Sequence, residues 1–293
     1  MRKIRMLETK RIRKLRGSLI KQIPRTPNDK QSLQELESKT LTDLLIVYAN
    51  WVIRYVTPRQ REVIVESAAK ADPRWNILSN QINSFLEKVK SGEDLTPHLS
   101  LEVHKKGFSP AASRTSPGSD KWDDKDFLLN VMGYHHFHLG NKNEDPDYVD
   151  RTDDILFAEV NRSKFRVIAI FNHSVFKKNG AVTQALTAER QRLWEIFDER
   201  SMYSVPPGSI VIPSMIMTSG HSFNIIRRVQ DYIHVIKEIE PKLDDHKFVR
   251  ELFEEAEVPI PKKYKLSWHF RFLDLGILDA TSNTYFVFRY GVN

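Results

Sequence analysis

The chain has 293 residues, of which 40% are hydrophobic and 28% charged, so it can bury a core and is not disordered throughout. It contains no cysteine, which excludes disulfide frameworks, cysteine nucleophiles and thiolate metal sites. The net charge of +7 is unevenly spread: residues 1–30 hold eleven basic and two acidic residues, and the rest of the chain is nearly neutral.

The cationic residues 1–30 are expected to form a basic arm outside the core. Lysine and arginine side chains in such an arm attract phosphate backbones through counterion release, which makes Arg11 and Arg13 candidate substrate-binding residues. The alternative is a solvated tail with no partner. With few apolar residues in the arm, we expect its deletion to weaken nucleic-acid binding and to leave the fold intact.

Hydropathy indicates a protein that does not enter a membrane. No apolar stretch follows the basic N-terminal residues as it does in a signal peptide. No run approaches the roughly 20 apolar residues that a transmembrane helix needs. We therefore expect a cytoplasmic protein with no membrane partner.

Residues 31–92 are expected to form a helical unit. Apolar residues recur at helical spacing over 41–56, and Thr40 or Thr42 is the predicted N-cap. A second helix is predicted over 75–90, packed against the first. The residues expected to face inward in the second helix are Ile77, Leu78, Ile82, Phe85, Leu86 and Val89.

The sequence pattern changes beyond residue 92. Residues 93–125 are rich in glycine, proline and serine, which predicts a linker or long surface loop. Residues 126–293 are then expected to form a second domain in which strand patterns dominate. Two short apolar runs, 155–160 and 165–171, are separated by four residues and predict a β-hairpin.

The later elements alternate between helices and strands. They are a helix starting at Thr187, a strand over 209–217, helices over 225–239 and 248–255, and an antiparallel pair formed by 266–272 and 285–290. The predicted fold class is therefore α+β, with an N-terminal helical unit followed by a mixed, largely antiparallel sheet with flanking helices.

The side chains best suited to acid–base chemistry lie around the predicted hairpin. His136 and His138 share one face of a predicted strand. Asp153 and Asp154 precede the first hairpin strand and His173 follows the second, so antiparallel pairing brings these residues to one rim. Histidine exchanges protons near neutral pH and therefore suits general acid–base catalysis. A metal site and purely structural histidines are the alternatives.

The motif over 133–176 is similar to that of the RelE/YafQ-type ribonuclease toxins of bacteria. That family has a Gly-Tyr pair followed by a histidine, then an aspartate before a strand, then a late histidine followed by an aromatic residue. The corresponding residues here are Gly133, Tyr134, His138, Asp153 or Asp154, His173 and Phe176.

The resemblance implies cleavage of RNA without a metal or cofactor. His138 and His173 would share the proton transfers, Asp153 or Asp154 would orient a histidine or contact the ribose, and Phe176 would stack on a base. It also implies RNA, including ribosome-associated RNA, as the substrate, and an antitoxin protein as a partner.

A second candidate site lies where a predicted strand meets the long helix after residue 220. Ser219 and His221 flank this junction, where free backbone N–H groups can bind a phosphate; the alternative is an ordinary N-cap. Tyr134 completes the predicted substrate-binding residues, and His136 the predicted catalytic ones.

Taken together, these patterns predict a metal-independent endoribonuclease of a toxin or phage-defence type that uses the 2′-hydroxyl of RNA as nucleophile. Two alternatives stay open. One is a non-enzymatic nucleic-acid-binding or interaction protein, and the other is a metal-dependent nuclease or hydrolase that uses the His-x-His cluster.

Overall fold

A computed structural model describes residues 8–110, 128–140, 148–177, 186–203 and 221–293, together with 205–206, 208–209, 215 and 217. The fold class is α+β, as predicted. The contacts divide the chain into two compact units. Unit 1 comprises Met1–Ile53, His104–Pro110 and Ile225–Val292, and unit 2 comprises Arg54–Val103, Ala111–Asn224 and Asn293.

The described elements follow one another along the chain. The helices are α1 (Lys10–Gln22), α2 (Lys30–Ser38), α3 (Leu41–Val52), α4 (Ser67–Lys70), α5 (Pro73–Ile77), α6 (Ser79–Ser91), α7 (Ala188–Met202), α8 (Phe223–Ile239) and α9 (His246–Glu255). The strands are β1 (Glu62–Val65), β2 (Tyr134–His138), β3 (Asp154–Val160), β4 (Lys164–Asn172), β5 (Leu266–Arg271), β6 (Asp274–Asp279) and β7 (Thr284–Arg289). Short 3-10 segments occur at Thr96–His98, Leu101–His104, His173–Phe176 and Glu240–Asp244.

Side-chain caps determine where several helices begin. Thr40 is the N-cap of α3, as one of the two predicted alternatives, and its side chain accepts a hydrogen bond from the backbone N–H of Asp43. Thr187 caps α7 in the same way, and Asp245 caps α9. The starts of α3 and α7 are therefore confirmed, whereas α9 begins two residues before the predicted Phe248.

Unit 1 is a three-stranded antiparallel sheet in the order β5-β6-β7, covered by helices. The prediction of one antiparallel pair missed the middle strand β6. The turn between β5 and β6 contains Phe272 at φ 51, and a bulky residue with positive φ carries no turn signature. The second turn is closed by Asn283 at φ 55, a residue type that tolerates this region.

The predicted basic arm is wrong for the described part of residues 1–30. Residues 10–22 form α1, and its apolar face, which includes Ile12, Leu15 and Leu19, is buried in the unit 1 core. The composition of this segment does not indicate an apolar face, because only every third or fourth residue of the helix is apolar and most of the others are charged or polar. Deletion of residues 1–30 is therefore expected to disrupt unit 1, contrary to the expectation from composition.

A polar network joins the start of α1 to β5. Glu240 is 5% exposed and accepts hydrogen bonds from the hydroxyl of Thr9, from Nε of Arg11 at 3.1 Å and from Nε1 of Trp268 at 2.6 Å. Arg11 also forms two hydrogen bonds with the carboxylate of Asp244, at 2.8 and 3.0 Å. A buried carboxylate is tolerated only when it is paired in this way.

Unit 2 is a four-stranded sheet in the order β1-β4-β3-β2, with β1 parallel to β4 and the other pairs antiparallel. One face packs against α6, and the other against α7, the 173–176 segment and the helical residues 128–132. The predicted hairpin is confirmed as β3 and β4. Both of its faces are buried, which explains why its strands read as continuous apolar runs.

The predicted helical unit 31–92 departs from the structure in three places. Residues 62–65 form the strand β1, which pairs with β4. The second helix is divided at Leu78 into α5 and α6, and Ile77, predicted to face inward, is 76% exposed. Finally, α3 belongs to unit 1 and α6 to unit 2, so the two predicted helices do not form one unit.

The predicted boundaries beyond residue 92 also differ from the structure. Residues 93–110 carry two 3-10 segments and bury Leu95, Leu99 and Val103, so this part of the predicted linker contributes to the core. Residues 111–125 lie outside the described residues, as does most of the predicted strand 209–217.

Replacing a buried leucine of α1 tests whether this helix is part of the core. We expect Leu19→Ala to lower the free energy of unfolding by about 2–5 kcal/mol, because the side chain is fully buried and leaves a cavity. Lys21→Ala, at an exposed position of the same helix, is the control and should change it by less than about 0.5 kcal/mol. Urea unfolding measures both, and equal stability of the two variants would contradict the helix packing.

Candidate active site

The pairing of β3 with β4 positions the predicted catalytic residues. Asn161 begins the four-residue turn, and its side-chain oxygen accepts hydrogen bonds from the backbone N–H groups of Ser163 at 3.0 Å and Lys164 at 2.8 Å. At the opposite end of the hairpin, Asp154 pairs with Asn172. The residues just before β3 therefore lie beside those just after β4.

Four rings meet at this end of the sheet, and we call them the histidine cluster: His136, His138, His173 and Phe176. The rings of His138 and His173 stack with centroids 5.4 Å apart and an interplanar angle of 28°. His136 lies 6.4 Å from His138 and 5.1 Å from Phe176, measured between ring centroids. The structure thus brings three predicted catalytic histidines to one face of the sheet.

Solvent access differs within the histidine cluster. His138 is 4% exposed and lies beneath its neighbours, whereas His136 and His173 are half-buried. Phe176 is 9% exposed and contacts Phe157 at 6.0 Å, so it forms an apolar wall and does not offer the open stacking surface that was predicted. A substrate can therefore reach the ring of His173 and the part of the His136 ring other than Nε2, which is buried.

A backbone contact determines which nitrogen of His173 is available. Its Nδ1 lies 2.9 Å from the carbonyl oxygen of Asp153, and a carbonyl can only accept a hydrogen bond. In neutral His173 the proton is therefore on Nδ1, and Nε2 carries the lone pair. The side-chain oxygen of Asn172 accepts from the N–H of Ser174 at 2.9 Å and holds the turn that carries the ring.

The two aspartates take positions that differ from those predicted for them. Asp153 reaches His173 through its backbone carbonyl, and its carboxylate is on an exposed residue. The carboxylate of Asp154 pairs with Nη1 of Arg74 at 3.4 Å. The group that orients His173 is thus a main-chain carbonyl, and such a contact cannot be predicted from the residue types in the sequence.

A buried histidine supports the strand below the site. Nδ1 of His98 donates to the carbonyl oxygen of His138 at 2.7 Å, and Nζ of Lys88 lies 3.1 Å from Nε2. Burial, with further contributions from Lys88 and Arg151, lowers the pKa of His98 to about 4. The ring is therefore neutral near pH 7 and holds the backbone of β2 in place.

A charged cluster that sequence reasoning missed lies beside Asp154. Arg74 binds Asp72 through two hydrogen bonds, at 2.9 and 2.8 Å, and Glu189 at 3.0 Å. Arg192 reaches the same Asp72 carboxylate at 2.8 Å. Both arginines also donate to the carbonyl oxygen of Ile170, near the end of β4. The members are scattered along the chain, and only the fold brings them together.

The charged cluster lines an open cleft of about 550 Å³. Its wall consists of Ala68, Ala71, Asp72, Pro73, Arg74, Glu189, Arg192 and Ile196. Since Asp154 contacts Arg74 and pairs with Asn172, next to His173, the cleft and the histidine cluster share one end of the sheet. Clefts with converging titratable groups are the usual place for active sites.

The remaining predicted substrate-binding residues do not join this site. Tyr134 is 4% exposed, packs on Phe197 and has its pKa raised by burial, so it belongs to the core. Arg11 is held by Glu240 and Asp244 and is not available to a phosphate as predicted. Arg13 is exposed on α1 in unit 1.

The second candidate site cannot be assembled from the described residues. Ser219 lies outside them, and His221 is half-buried, its carbonyl accepting from the N–H of Met217 at 2.9 Å. The N–H of Asn224 donates to the hydroxyl of Ser222 at 3.2 Å. Since the N–H of Phe223 also donates to the carbonyl oxygen of Met215 at 2.8 Å, two N–H groups at the start of α8 are satisfied within the chain.

Within the part of the chain that the structure describes, no group of three or more histidine, aspartate or glutamate side chains is arranged to hold a metal ion. None of the helices in the same residues combines the length and the apolar character needed to cross a membrane.

Asp72 makes the stability of unit 2 depend on pH. Burial alone raises its pKa, but hydrogen bonds from the side chain and backbone of Arg74 and the charge of Arg192 outweigh burial and hold the pKa below 3.8. A carboxylate whose pKa is depressed by folding contributes stability above its unfolded pKa and loses it as the pH falls through the folded value.

We expect Asp72→Asn to lower the free energy of unfolding by about 3 kcal/mol at pH 7, because two arginines lose a buried partner. The difference from wild type should shrink as the pH drops below about 4. Urea unfolding across this pH range measures it, with Asp153→Asn, a change at an exposed carboxylate, as the control. A constant difference at all pH values would contradict the assignment.

Comparison of this chain with protein-family models, with curated proteins and with solved structures found no match. The resemblance over residues 133–176 therefore stays a prediction from the sequence.

Proposed function

We propose that this protein is a metal-independent endoribonuclease whose active site is the histidine cluster. The observation that carries the proposal is the 5.4 Å stacking of His138 and His173 at the rim of the sheet, beside the half-buried His136. Several histidines in one cluster can provide both a proton acceptor and a proton donor at neutral pH.

His173 suits the role of general base. Its Nδ1–H is held by the carbonyl of Asp153, which leaves the lone pair of Nε2 for the substrate. In the proposed step, Nε2 takes the proton of an RNA 2′-hydroxyl as that oxygen forms a bond to the adjacent phosphorus. In histidines generally, the hydrogen bond made by one ring nitrogen decides which tautomer is present.

His136 is the proposed general acid. Because its Nε2 is buried, the protonated ring is proposed to donate from Nδ1 to the 5′-oxygen as the bond between that oxygen and phosphorus breaks. The products are a 2′,3′-cyclic phosphate and a free 5′-hydroxyl, and the reaction needs no added nucleophile or oxidant. His138 contacts the rings of both His136 and His173 and is 4% exposed. It is therefore proposed to position these rings and not, as the sequence resemblance implied, to share the proton transfers.

The cellular setting is proposed from the sequence resemblance alone. On that basis the protein acts in the cytoplasm as a toxin or phage-defence nuclease, on free or ribosome-associated RNA, and is controlled by an antitoxin protein. Growth arrest on expression in a bacterium, lost in the His173→Ala variant, is the corresponding expectation.

We expect His173→Ala and His136→Ala each to reduce RNA cleavage by about 10²-fold or more, the usual effect of losing a general acid or base. His234→Ala, a change at an exposed histidine in unit 1, is the matched control and should leave cleavage unchanged. Gel analysis of a labelled RNA measures the rates, and thermal unfolding checks that the variants fold.

Two further measurements separate the proposal from its alternatives. Cleavage should continue in EDTA, produce 2′,3′-cyclic phosphate ends, and stop when the 2′-hydroxyl at the cut site is replaced by hydrogen. Cleavage that EDTA abolishes would instead support the metal-dependent nuclease. Tight RNA binding without turnover would support a non-enzymatic binding protein.

A further inference from the structure

The exposed face of α1 carries cations that the fold itself does not use. Lys10, Arg13, Lys14 and Lys21 are exposed, and at about 100° per residue they lie within roughly a third of the helix circumference. Among the described residues, none of the four is in an ion pair, and residues 1–7 contain no acidic side chain. We call these four residues the basic stripe.

The other two cationic residues of α1, Arg11 and Arg16, are bound within the protein. Arg11 is paired with Glu240 and Asp244. Arg16 is paired with Glu8 and donates to the carbonyl oxygens of Lys39 and Glu37. The helix thus separates its cations into an inner set that binds the protein and an outer set that faces solvent.

The neighbouring strand β5 extends the positive surface. Trp268 and Phe270 point into the core, and the alternate residues His269 and Arg271 lie on the other face. Burial and the nearby charges of Arg271 and Lys14 lower the pKa of His269. A cation of α1 and a cation of β5 therefore both lie close to His269. The Arg271 guanidinium lies 4.4 Å from the ring centroid of Tyr285, a cation–π contact that stabilises its position.

Gly17 lies between the residues of the basic stripe, and no contact within the chain explains why this position is a glycine. A Cβ at this position would meet no atom within 4 Å, so packing within the chain does not demand glycine. Glycine in a helix interior costs about 1 kcal/mol relative to alanine. It leaves bare backbone between the cations, where an extended ligand can approach the helix axis closely.

We infer that the basic stripe, continued by Arg271, binds the phosphodiester backbone of a nucleic acid. The stripe spans about 16 Å from Lys10 to Lys21, at 1.5 Å per residue, which is long enough to meet several phosphates of one strand. A membrane surface is the less favoured occupant, because an interfacial helix inserts an apolar face and the apolar face of α1 is already buried in unit 1.

This inference is independent of the proposed nuclease activity, since the stripe lies in unit 1 and the histidine cluster in unit 2. Single-stranded DNA is therefore a useful probe, because it has the same backbone phosphates and lacks the 2′-hydroxyl. The measurement is fluorescence anisotropy of labelled 20-nucleotide DNA and RNA with the full chain in the His173→Ala background, at 50 to 200 mM salt.

The stripe variant replaces Lys10, Arg13, Lys14 and Lys21 with alanine. The matched control replaces Lys247, Arg250, Lys262 and Lys263, which are also exposed residues of unit 1, and changes the net charge equally. Alanine favours helix, so the stripe variant is expected to fold. A glutamine version of the same four changes, checked by circular dichroism, provides a second test.

We expect the stripe variant to bind both probes at least 10-fold more weakly and the control variant to stay within 2-fold of the parent. The slope of log affinity against log salt should fall in magnitude by about 3, as expected for four lost single-strand phosphate contacts. Equal weakening in both variants, or none in either, would overturn the inference. So would binding of the stripe to phosphatidylserine vesicles with no binding to either nucleic acid.

Discussion

The antiparallel pairing of β3 with β4 is the constraint on which the candidate site depends. Pairing in this register sets Asp154 opposite Asn172, which brings the chain before β3 beside the chain after β4. His173 is then close enough for Nδ1 to meet the carbonyl of Asp153. Because β2 pairs with the other edge of β3, His138 is carried to the same end of the sheet and stacks on His173.

The charged cluster also secures that end of the sheet. Arg74 and Arg192 both bind the carboxylate of Asp72 and the carbonyl of Ile170. These contacts connect α5 and α7 to the last residues of β4. Partly burying these charges is costly, and the cost is offset by the ion pairs and hydrogen bonds that the two arginines form with Asp72, Glu189 and Ile170. A rigid support of this kind suits a site in which ring positions must hold to within a fraction of an ångström.

Helix α1 combines two roles on opposite faces. Its apolar residues complete the core of unit 1, and its exposed lysines and arginine form a charged surface. If both proposals hold, the protein separates affinity from chemistry: the basic stripe contributes attraction without sequence preference, and the histidine cluster contributes proton transfer. The two can be removed independently, which makes each testable without the other.

The sequence by itself determined the α+β class, the β3–β4 hairpin and the helices capped by Thr40 and Thr187, because periodicity and capping act over a few neighbouring residues. It also pointed to His138 and His173, since hairpin pairing follows from a short connection. Only the tertiary structure decided that residues 10–22 enter the core, that 62–65 form a strand, and that Asp72 meets Arg74 and Arg192. Those outcomes depend on contacts between residues far apart in the chain. A local sequence pattern shows that a face is apolar or that a side chain is charged, but it does not specify the distant residues that this face or side chain contacts.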